Sequence, residues 1–415
     1  MKNKIEKIVL AYSGGLDTSV AIKWLKEKFK AEIIAYVANV GQCGVESWDL
    51  IEKKAWETGA SKVYIDDVRA EFVHNYVFKS LKANALYEGK YPLATALSRP
   101  LIVQRMVDLA AEHGADAVAH GCTGKGNDQV RFDVSFRALN PGLAIIAPLR
   151  EWEFKTRNEE IDYAKANNIP VKASKDSPYS LDSNLWGISI ECGLLEDPWN
   201  EPPADAYQWT KDPADTPDHP LYLTISFEKG VPVKIDHQYY QGVALVERLN
   251  QLGSEYGIGR IDMVENRLVG IKSREIYEAP AAEILTKAHQ QLEDLTLDRE
   301  TAHYKSIISA KYAELTYFGL WYSPLREALD AFIEETQQQV SGDVRLKLYK
   351  GNCTVVGRKS PHSLYQFELA TYEQGDRFDH AAAEGFIKLW GLPTMIHRQV
   401  KEKNQDTVLL KEYAK

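Results

Sequence analysis

The sequence predicts a doubly wound α/β domain, a second α+β domain and a C-terminal arm. Three observations carry this. The first 170 residues alternate apolar β-type runs with amphipathic segments, a Gly-rich turn joins the first run to the first helix, and the alternation stops after Pro170. A chain of 415 residues also exceeds what one hydrophobic core usually organises. The expected boundaries are 1–170, 171–375 and 376–415.

In order, parallel strands are expected at Lys7 to Tyr12, Glu32 to Asn39, Lys62 to Asp66, Ala115 to His120 and Leu143 to Ala147. Helical spacing predicts Thr18 to Phe29, Ser47 to Thr58, Glu71 to Ala85, Arg99 to His113 and Asn158 to Asn167 between and after them. The Pro-rich stretch from Asp197 to Pro220 reads as a surface excursion rather than a core element. Beyond it come strands at Leu221 to Phe227 and Val231 to Ile235 and helices at Val243 to Gln251, Ala281 to Leu295 and Leu325 to Val340. A hairpin of Val344 to Leu348 with Thr354 to Arg358 turns across Lys350 to Asn352. From about Asp376 the chain reads as an arm.

The composition, 44% hydrophobic and 26% charged, is that of a globular protein. A formal charge of −9 argues against a protein that coats nucleic acid. Four cysteines without a CxxC pair predict reduced thiols in a cytoplasmic protein. The first residues, MKNKIEKIVLAY, are too briefly apolar for a secretory signal, and no run is long enough to span a membrane.

The string AYSGGLDTS, Ala11 to Ser19, stands where the first strand meets the first helix. Gly14 and Gly15 let the backbone turn tightly, and Ser13, Thr18 and Ser19 bring hydroxyls beside the free N–H groups of the helix start. Oriented donors and the helix dipole favour an anion there. Asp17 has two readings, a helix cap or a partner of the magnesium ion that screens phosphates. The spacing fits neither GxGxxG nor GxxxxGK[ST]. It resembles the SGGxDS loop of the ATP pyrophosphatases, which implies a HUP-like (adenine nucleotide α-hydrolase-like) fold and cleavage of ATP between its α and β phosphates.

After the fourth strand, AHGCTGKGNDQVRF runs from Ala119 to Phe132. Ligands of open parallel sheets collect at the strands' carboxyl ends, which places this loop near the first. Gly121, Gly124 and Gly126 allow close wrapping; Lys125 and Arg131 bring positive charge, and Thr123, Asn127 and Asp128 bring hydrogen-bonding groups. The mixture suits a ligand carrying both carboxylate and ammonium groups.

Together the two strings resemble the argininosuccinate synthase family. The likeness continues through ALYEGKYPLATALSRP (85–100), IPV (169–171), SLDSNLWGIS (180–189), GIGRIDMVENRLVGIKSREIYEAPA (257–281) and GRKSPHSLY (357–365). The resemblance implies a ligase of arginine biosynthesis that joins L-citrulline to L-aspartate. ATP adenylates the ureido oxygen, pyrophosphate leaves, and the aspartate amine then displaces AMP. Magnesium is implied with ATP and not at a fixed protein site, and a homotetramer is implied through the arm.

The resemblance also implies site residues. ATP would lie on Ala11, Tyr12, Ser13, Gly14, Gly15, Leu16, Asp17, Thr18 and Ser19, with Ala38 and Gly121. Aspartate would meet Thr123, Asn127 and Asp128; citrulline would meet Tyr91, Asn127, Arg131, Ser180, Ser189, Glu265 and Tyr277. Asp128 and Arg131 are the catalytic candidates: a carboxylate can hold an ammonium group and help manage its proton, and a guanidinium can pair with an α-carboxylate in two-pronged fashion. Glu265 suits the α-ammonium of citrulline. His120 is either a proton carrier or a packed histidine, and Cys122 lacks an evident activating base.

Two departures stand out. The family's TSLARP string is here TALSRP, putting Ala96 where a citrulline-contacting serine is expected. The ending after GFIKL also differs, and Pro393 predicts a break in any helix there. The competing readings are an ATP-splitting enzyme with another acceptor, which needs other partner motifs, and an inactive nucleotide-binding scaffold.

Overall fold

The computed structural model describes residues 4–45, 47–124, 126–154, 156–170 and 178–413, with side chains as far as residue 403. Lys125 and Val171 lie outside the described residues. The chain up to His362 forms one compact unit, and the chain from Ser363 forms a second.

The first half alternates as its pattern predicts. The order is β1 (Lys7–Ala11), α1 (Leu16–Phe29), β2 (Glu32–Asn39), α2 (Trp48–Thr58), β3 (Lys62–Asp67), α3 (Arg69–Phe72), α4 (Phe78–Lys82), α5 (Ala94–His113), β4 (Ala117–Ala119), α6 (Asp128–Leu139), β5 (Ala144–Ile146), α7 (Pro148–Glu151) and α8 (Arg157–Ala166). A π-helical turn, Val73–Val77, joins α3 to α4. The strands form a parallel sheet in the order β3-β2-β1-β4-β5. Ile8, Val9 and Leu10 are each 0% exposed, as both faces of a parallel sheet are covered. Alternation divides them: Ile8 and Leu10 pack with Val20 and Trp24 of α1, whereas Val9 joins the core containing Leu97, Leu101 and Val103 of α5.

The chain continues with β6 (Ser180–Asn184), β7 (Gly187–Glu191), β8 (Leu221–Glu228), β9 (Val231–Ile235), β10 (Gln238–Tyr239), α9 (Gly242–Glu255), β11 (Arg260–Asn266) and β12 (Lys272–Glu278). Then come α10 (Pro280–Thr296), α11 (Arg299–Tyr317), α12 (Pro324–Thr336), β13 (Gly342–Tyr349) and β14 (Asn352–Lys359). One sheet is ordered β10-β9-β8-β13-β14 and another β11-β12-β7-β6. All their pairings are antiparallel. The core that holds Val9 and Ile34 extends without a gap to Ile225 and Leu346.

Several sequence expectations need correction. The strands β6, β7, β11 and β12 and the helix α11 were not anticipated; the strands carry Ser, Asp, Glu and Arg at alternate positions, which hides the apolar period. The Pro-rich stretch from Asp197 to Pro220 does run over the surface as expected, with Ala206, Thr210 and Thr216 its buried residues, and it covers the back of the four-stranded sheet. Ala206 from this stretch, with Leu195 just before it, packs on Ile188, Ile190 and Ile276. The Glu278 carboxylate, fully buried, accepts the backbone N–H groups of Gln208 at 2.6 Å, Trp209 at 3.1 Å and Thr210 at 2.7 Å. The hairpin turn is shorter than expected, since Asn352 already pairs with Tyr349. Helix α5 starts before Arg99, so Pro100 lies inside it. Its missing N–H leaves the Ala96 carbonyl without its usual partner.

In the second unit, α13 (Phe367–Ala370) precedes α14 (His380–Tyr413). Contrary to expectation, α14 runs through Pro393. Proline there removes a single i→i−4 bond, to Leu389, and the long helical segments on either side keep theirs.

Candidate active site

The order β3-β2-β1-β4-β5 places a topological switch between β1 and β4, because the chain leaves β1 toward β2 on one side and returns to β4 on the other. Both loops singled out in the sequence spring from those two strands. They touch: a β-carbon built on Gly121 would stand 2.9 Å from the Thr18 methyl. Gly14 has φ +77°, the left-handed conformation that its turn requires. The Ser13 hydroxyl lies 3.0 Å from that of Thr18 and accepts the Gly15 N–H at 3.3 Å, so the first loop is braced from within.

A cleft of about 460 Å³ opens beside these loops. From the first loop its wall takes Ala11, Tyr12, Ser13 and Thr18; Ala38 comes from β2, and Gly121, Thr123, Asn127, Asp128 and Arg131 from the second loop and α6. The opposite wall is one face of the four-stranded sheet. Antiparallel register sets Asp182 opposite Ser189, and Ser189 opposite Tyr277. Alternate residues then present Ser180 and Asp182, Ser189 and Glu191, Glu275 and Tyr277, and Glu265 to the cleft, with Arg267 just past β11. Tyr91, Thr95 and Arg99 complete the wall.

Of the residues expected for ATP, Gly14, Gly15, Leu16, Asp17 and Ser19 do not line the cleft. Leu16 belongs to the hydrophobic core. Ser19 is buried, its hydroxyl donating to the Gly15 carbonyl at 2.7 Å and lying 3.2 Å from that of Tyr12. The cap reading of Asp17 fails, because the N-cap of α1 is Gly15 and no side chain bonds there. Asp17 instead faces Glu160 of α8, and burial together with the Asp17 charge pushes the Glu160 carboxyl up to about 7. Among the described residues, no group of three or more His, Cys, Asp or Glu is placed to hold a metal ion.

Asp128 sits between two guanidinium groups. Its Oδ2 accepts from Arg99 Nε at 3.0 Å and Nη2 at 2.7 Å, and its Oδ1 accepts from Arg131 Nη1 at 2.8 Å. Burial opposes its ionisation, but Arg99 and Arg131 prevail and hold its pKa down at about 2. Arg99 also reaches Asp182. Arg131, 3% exposed, donates Nε–H to the Tyr317 carbonyl at 3.0 Å.

Glu265 is 2% exposed and accepts two phenol protons, from Tyr277 at 2.6 Å and from Tyr317. Tyr277 stacks on Tyr91 with ring centroids 4.0 Å apart, and burial raises the pKa of both phenols. The Tyr91 hydroxyl lies 2.8 Å from that of Thr95. Asn127 uses its amide to join elements: it donates to Tyr317 Oη at 2.8 Å and accepts the Leu268 N–H at 2.9 Å. Ala96 is buried and off the cleft wall; its neighbour Thr95 is on it.

His120 is a packed histidine here. Its Nδ1 accepts the Cys122 N–H at 3.2 Å, so Nε2 carries the proton and donates to Asp133 at 2.7 Å. With both nitrogens engaged it holds the loop's shape. Burial pushes the Cys122 thiol up, away from a reactive thiolate.

The sequence reading missed Arg99, Asp182, Thr95, Tyr317, Glu191, Arg267 and Glu275. Arg99 lies in ALYEGKYPLATALSRP and Asp182 in SLDSNLWGIS, where charges beside apolar residues were the available signal. Tyr317 had none, because its helix was not anticipated.

Comparison with known proteins shows the family. Residues 7–170 match the family model described as the arginosuccinate synthase N-terminal HUP domain, and residues 179–397 match the model of its C-terminal domain. The chain belongs to the argininosuccinate synthase family. It is 60% identical to the argininosuccinate synthase of Oceanobacillus iheyensis over 95% of this chain and 94% of that one. It is 58% identical to that of Gloeobacter violaceus over 96% and 100%, and 57% identical to that of Chlorobium limicola over 95% and 98%. The activity is that of an argininosuccinate synthase, a carbon–nitrogen ligase that uses ATP to condense L-citrulline with L-aspartate and releases AMP and pyrophosphate. Among the described residues, no helix is long and apolar enough to cross a membrane.

Proposed function

We propose that the cleft binds all three substrates of the argininosuccinate synthase reaction at once. ATP lies against Ala11, Tyr12, Ser13 and Thr18 of the first loop with Ala38 and Gly121; aspartate meets Thr123, Asn127 and Asp128; citrulline meets Tyr91, Asn127, Arg131, Ser180, Ser189, Glu265 and Tyr277. The observation that carries this reading is the contact of Thr18 with Gly121 at the β1/β4 switch, which sets the phosphate loop against the loop of Asn127 and Asp128.

The chemistry demands such an arrangement. The ureido carbon is a poor electrophile because nitrogen lone pairs delocalise into it, and its oxygen leaves poorly. Attack of that oxygen on the α-phosphate converts it into part of a good leaving group, AMP. Holding the reactants together makes both steps effectively unimolecular, which in well-oriented systems lowers barriers by about 7–11 kcal/mol. Arg131 pairs with the citrulline carboxylate, and Glu265, freed from one of its two phenol partners, takes the α-ammonium. Asp128, kept anionic by Arg99 and Arg131, attracts the aspartate ammonium.

Magnesium arrives on the ATP phosphates; the hydroxyls and N–H groups of the first loop suit phosphate oxygens. In this reading residues 1–170 bind nucleotide, 171–375 carry synthetase and multimerisation functions, and 376–415 form the arm of a homotetramer. The exposed Phe386, Ile387, Leu389 and Trp390 on α14 support that last role, and free thiols at Cys43, Cys122, Cys192 and Cys353 support a cytoplasmic location. Calorimetric titration of Ser13→Ala and Arg131→Ala tests the division: the first weakens ATP binding, the second citrulline binding. Loss of the same ligand in both would break it.

A further inference from the structure

The established reaction requires a proton to leave the aspartate ammonium before its nitrogen can attack carbon. Asp128 is poorly placed to take it. Both of its oxygens are engaged by guanidinium donors, Oδ2 by Arg99 and Oδ1 by Arg131. A carboxylate so held attracts a cation but has little affinity for a proton.

Asp182 differs in each respect. It lies on β6, in the cleft-facing row with Ser189 and Tyr277, and its side chain is 37% exposed toward the cleft. Among the described residues only its Oδ2 is bonded, to Arg99, the same guanidinium that grips Asp128. Among the described residues, Oδ1 has no hydrogen-bond donor. Asp128 is thus bonded by both guanidinium groups, whereas Asp182 meets only the one that Asp128 already engages.

We propose that Asp182 is the general base that deprotonates the bound aspartate ammonium, while Asp128 holds that ammonium in place. The proposal rests on the three-substrate reading of the cleft. Among the described residues, the charged and titratable groups around Asp182 are Arg99 from α5, Asp128 and Arg131 from α6, and Cys122 from the second loop. Enclosure in the cleft raises the pKa of Asp182, Arg99 lowers it less, and the Asp128 charge raises it further. A base of raised pKa matches proton transfer from an amine better than a carboxylate held down.

Asp182 takes one ammonium proton. The freed nitrogen pair forms the N–C bond to the cationic adenylated ureido carbon, and the C–O bond breaks with its electron pair leaving on AMP. The attacking nitrogen gives its second proton to solvent as the guanidinium forms, and Asp182 releases its own proton to solvent after product departs.

The test separates the two steps in the full-length enzyme. In Asp182→Asn, citrulline-dependent scrambling of oxygen-18 between the αβ bridge and the β-nonbridging positions of ATP continues without aspartate, reporting adenylate formation. Argininosuccinate formation falls by about 100-fold or more, and the acid limb of its pH–rate profile disappears. Asp182→Glu restores part of the rate together with the acid limb. Asp128→Asn mainly raises the aspartate KM. The proposal is overturned if Asp182→Asn keeps the acid limb or most of its rate, or loses both steps equally, which would mark a structural role. An aspartate KM that neither Asp128→Asn nor Asp182→Asn changes would instead overturn the three-substrate reading.

Discussion

Gly121 rests against Thr18 so closely that a β-carbon at position 121 would stand 2.9 Å from the threonine methyl. The methyl belongs to a β-branched side chain whose hydroxyl is tied to Ser13, so it cannot swing away freely. Gly121→Ala therefore separates the two loops. The expected cost is about 1–3 kcal/mol in stability, with an ATP KM raised by about tenfold or more. Urea denaturation and steady-state kinetics measure these; an unchanged ATP KM would show that the loops act independently.

Asp128→Ala removes the shared partner of Arg99 and Arg131. It is expected to raise the aspartate requirement far more than the ATP requirement, by about 100-fold against a few-fold. Initial rates with each substrate varied in turn decide this. Equal effects on both would remove Asp128 from the aspartate site.

Glu275 gives a pH signature. Burial, with Glu191 and Glu265 nearby, pushes its carboxyl up to about 8 despite the ion pair to Arg267. A folded pKa raised above the unfolded value contributes stability that is full below the unfolded pKa and is lost as pH rises through about 8. Glu275→Gln is expected to flatten the decline of unfolding free energy between about pH 4.5 and about pH 8. Denaturant titrations across that range report it, and parallel pH curves for both proteins would contradict the assignment.

Glu278→Ala strips the acceptor from three backbone N–H groups and from the Thr210 hydroxyl, which donates at 2.6 Å. Leaving those donors buried is expected to cost about 3 kcal/mol or more, with Glu278→Gln milder because one oxygen remains. The same strand carries Tyr277, so citrulline KM rises in step. A denaturation midpoint that does not move would mean that the Gln208–Thr210 backbone finds other acceptors.

The parallel sheet was legible because β1 and β2 are buried on both faces and therefore read as continuous apolar runs. β6, β7, β11 and β12 were not, because one face of each lines the cleft: Ser180, Asp182, Ser189 and Glu275 occupy positions that a packed strand would fill with apolar residues. The same cause split the site. Residues on the nucleotide loops follow from turn chemistry, whereas Arg99, Asp182 and Tyr317 become site residues only when α5, β6 and α11 meet. Pro393 shows the converse, a local rule overridden by the helix on either side of it.

The cleft-facing and back-facing residues of the four-stranded sheet alternate along the same strands: Ser189 and Tyr277 toward the substrates, Ile188, Ile190 and Ile276 toward the cover formed by Leu195 and Ala206. A single inserted or deleted residue in β7 or β12 would exchange these sets. Charged groups would then enter the small core while isoleucines faced the ligands. Such an enzyme would lose folding and chemistry together, so length changes should be selected against within these strands.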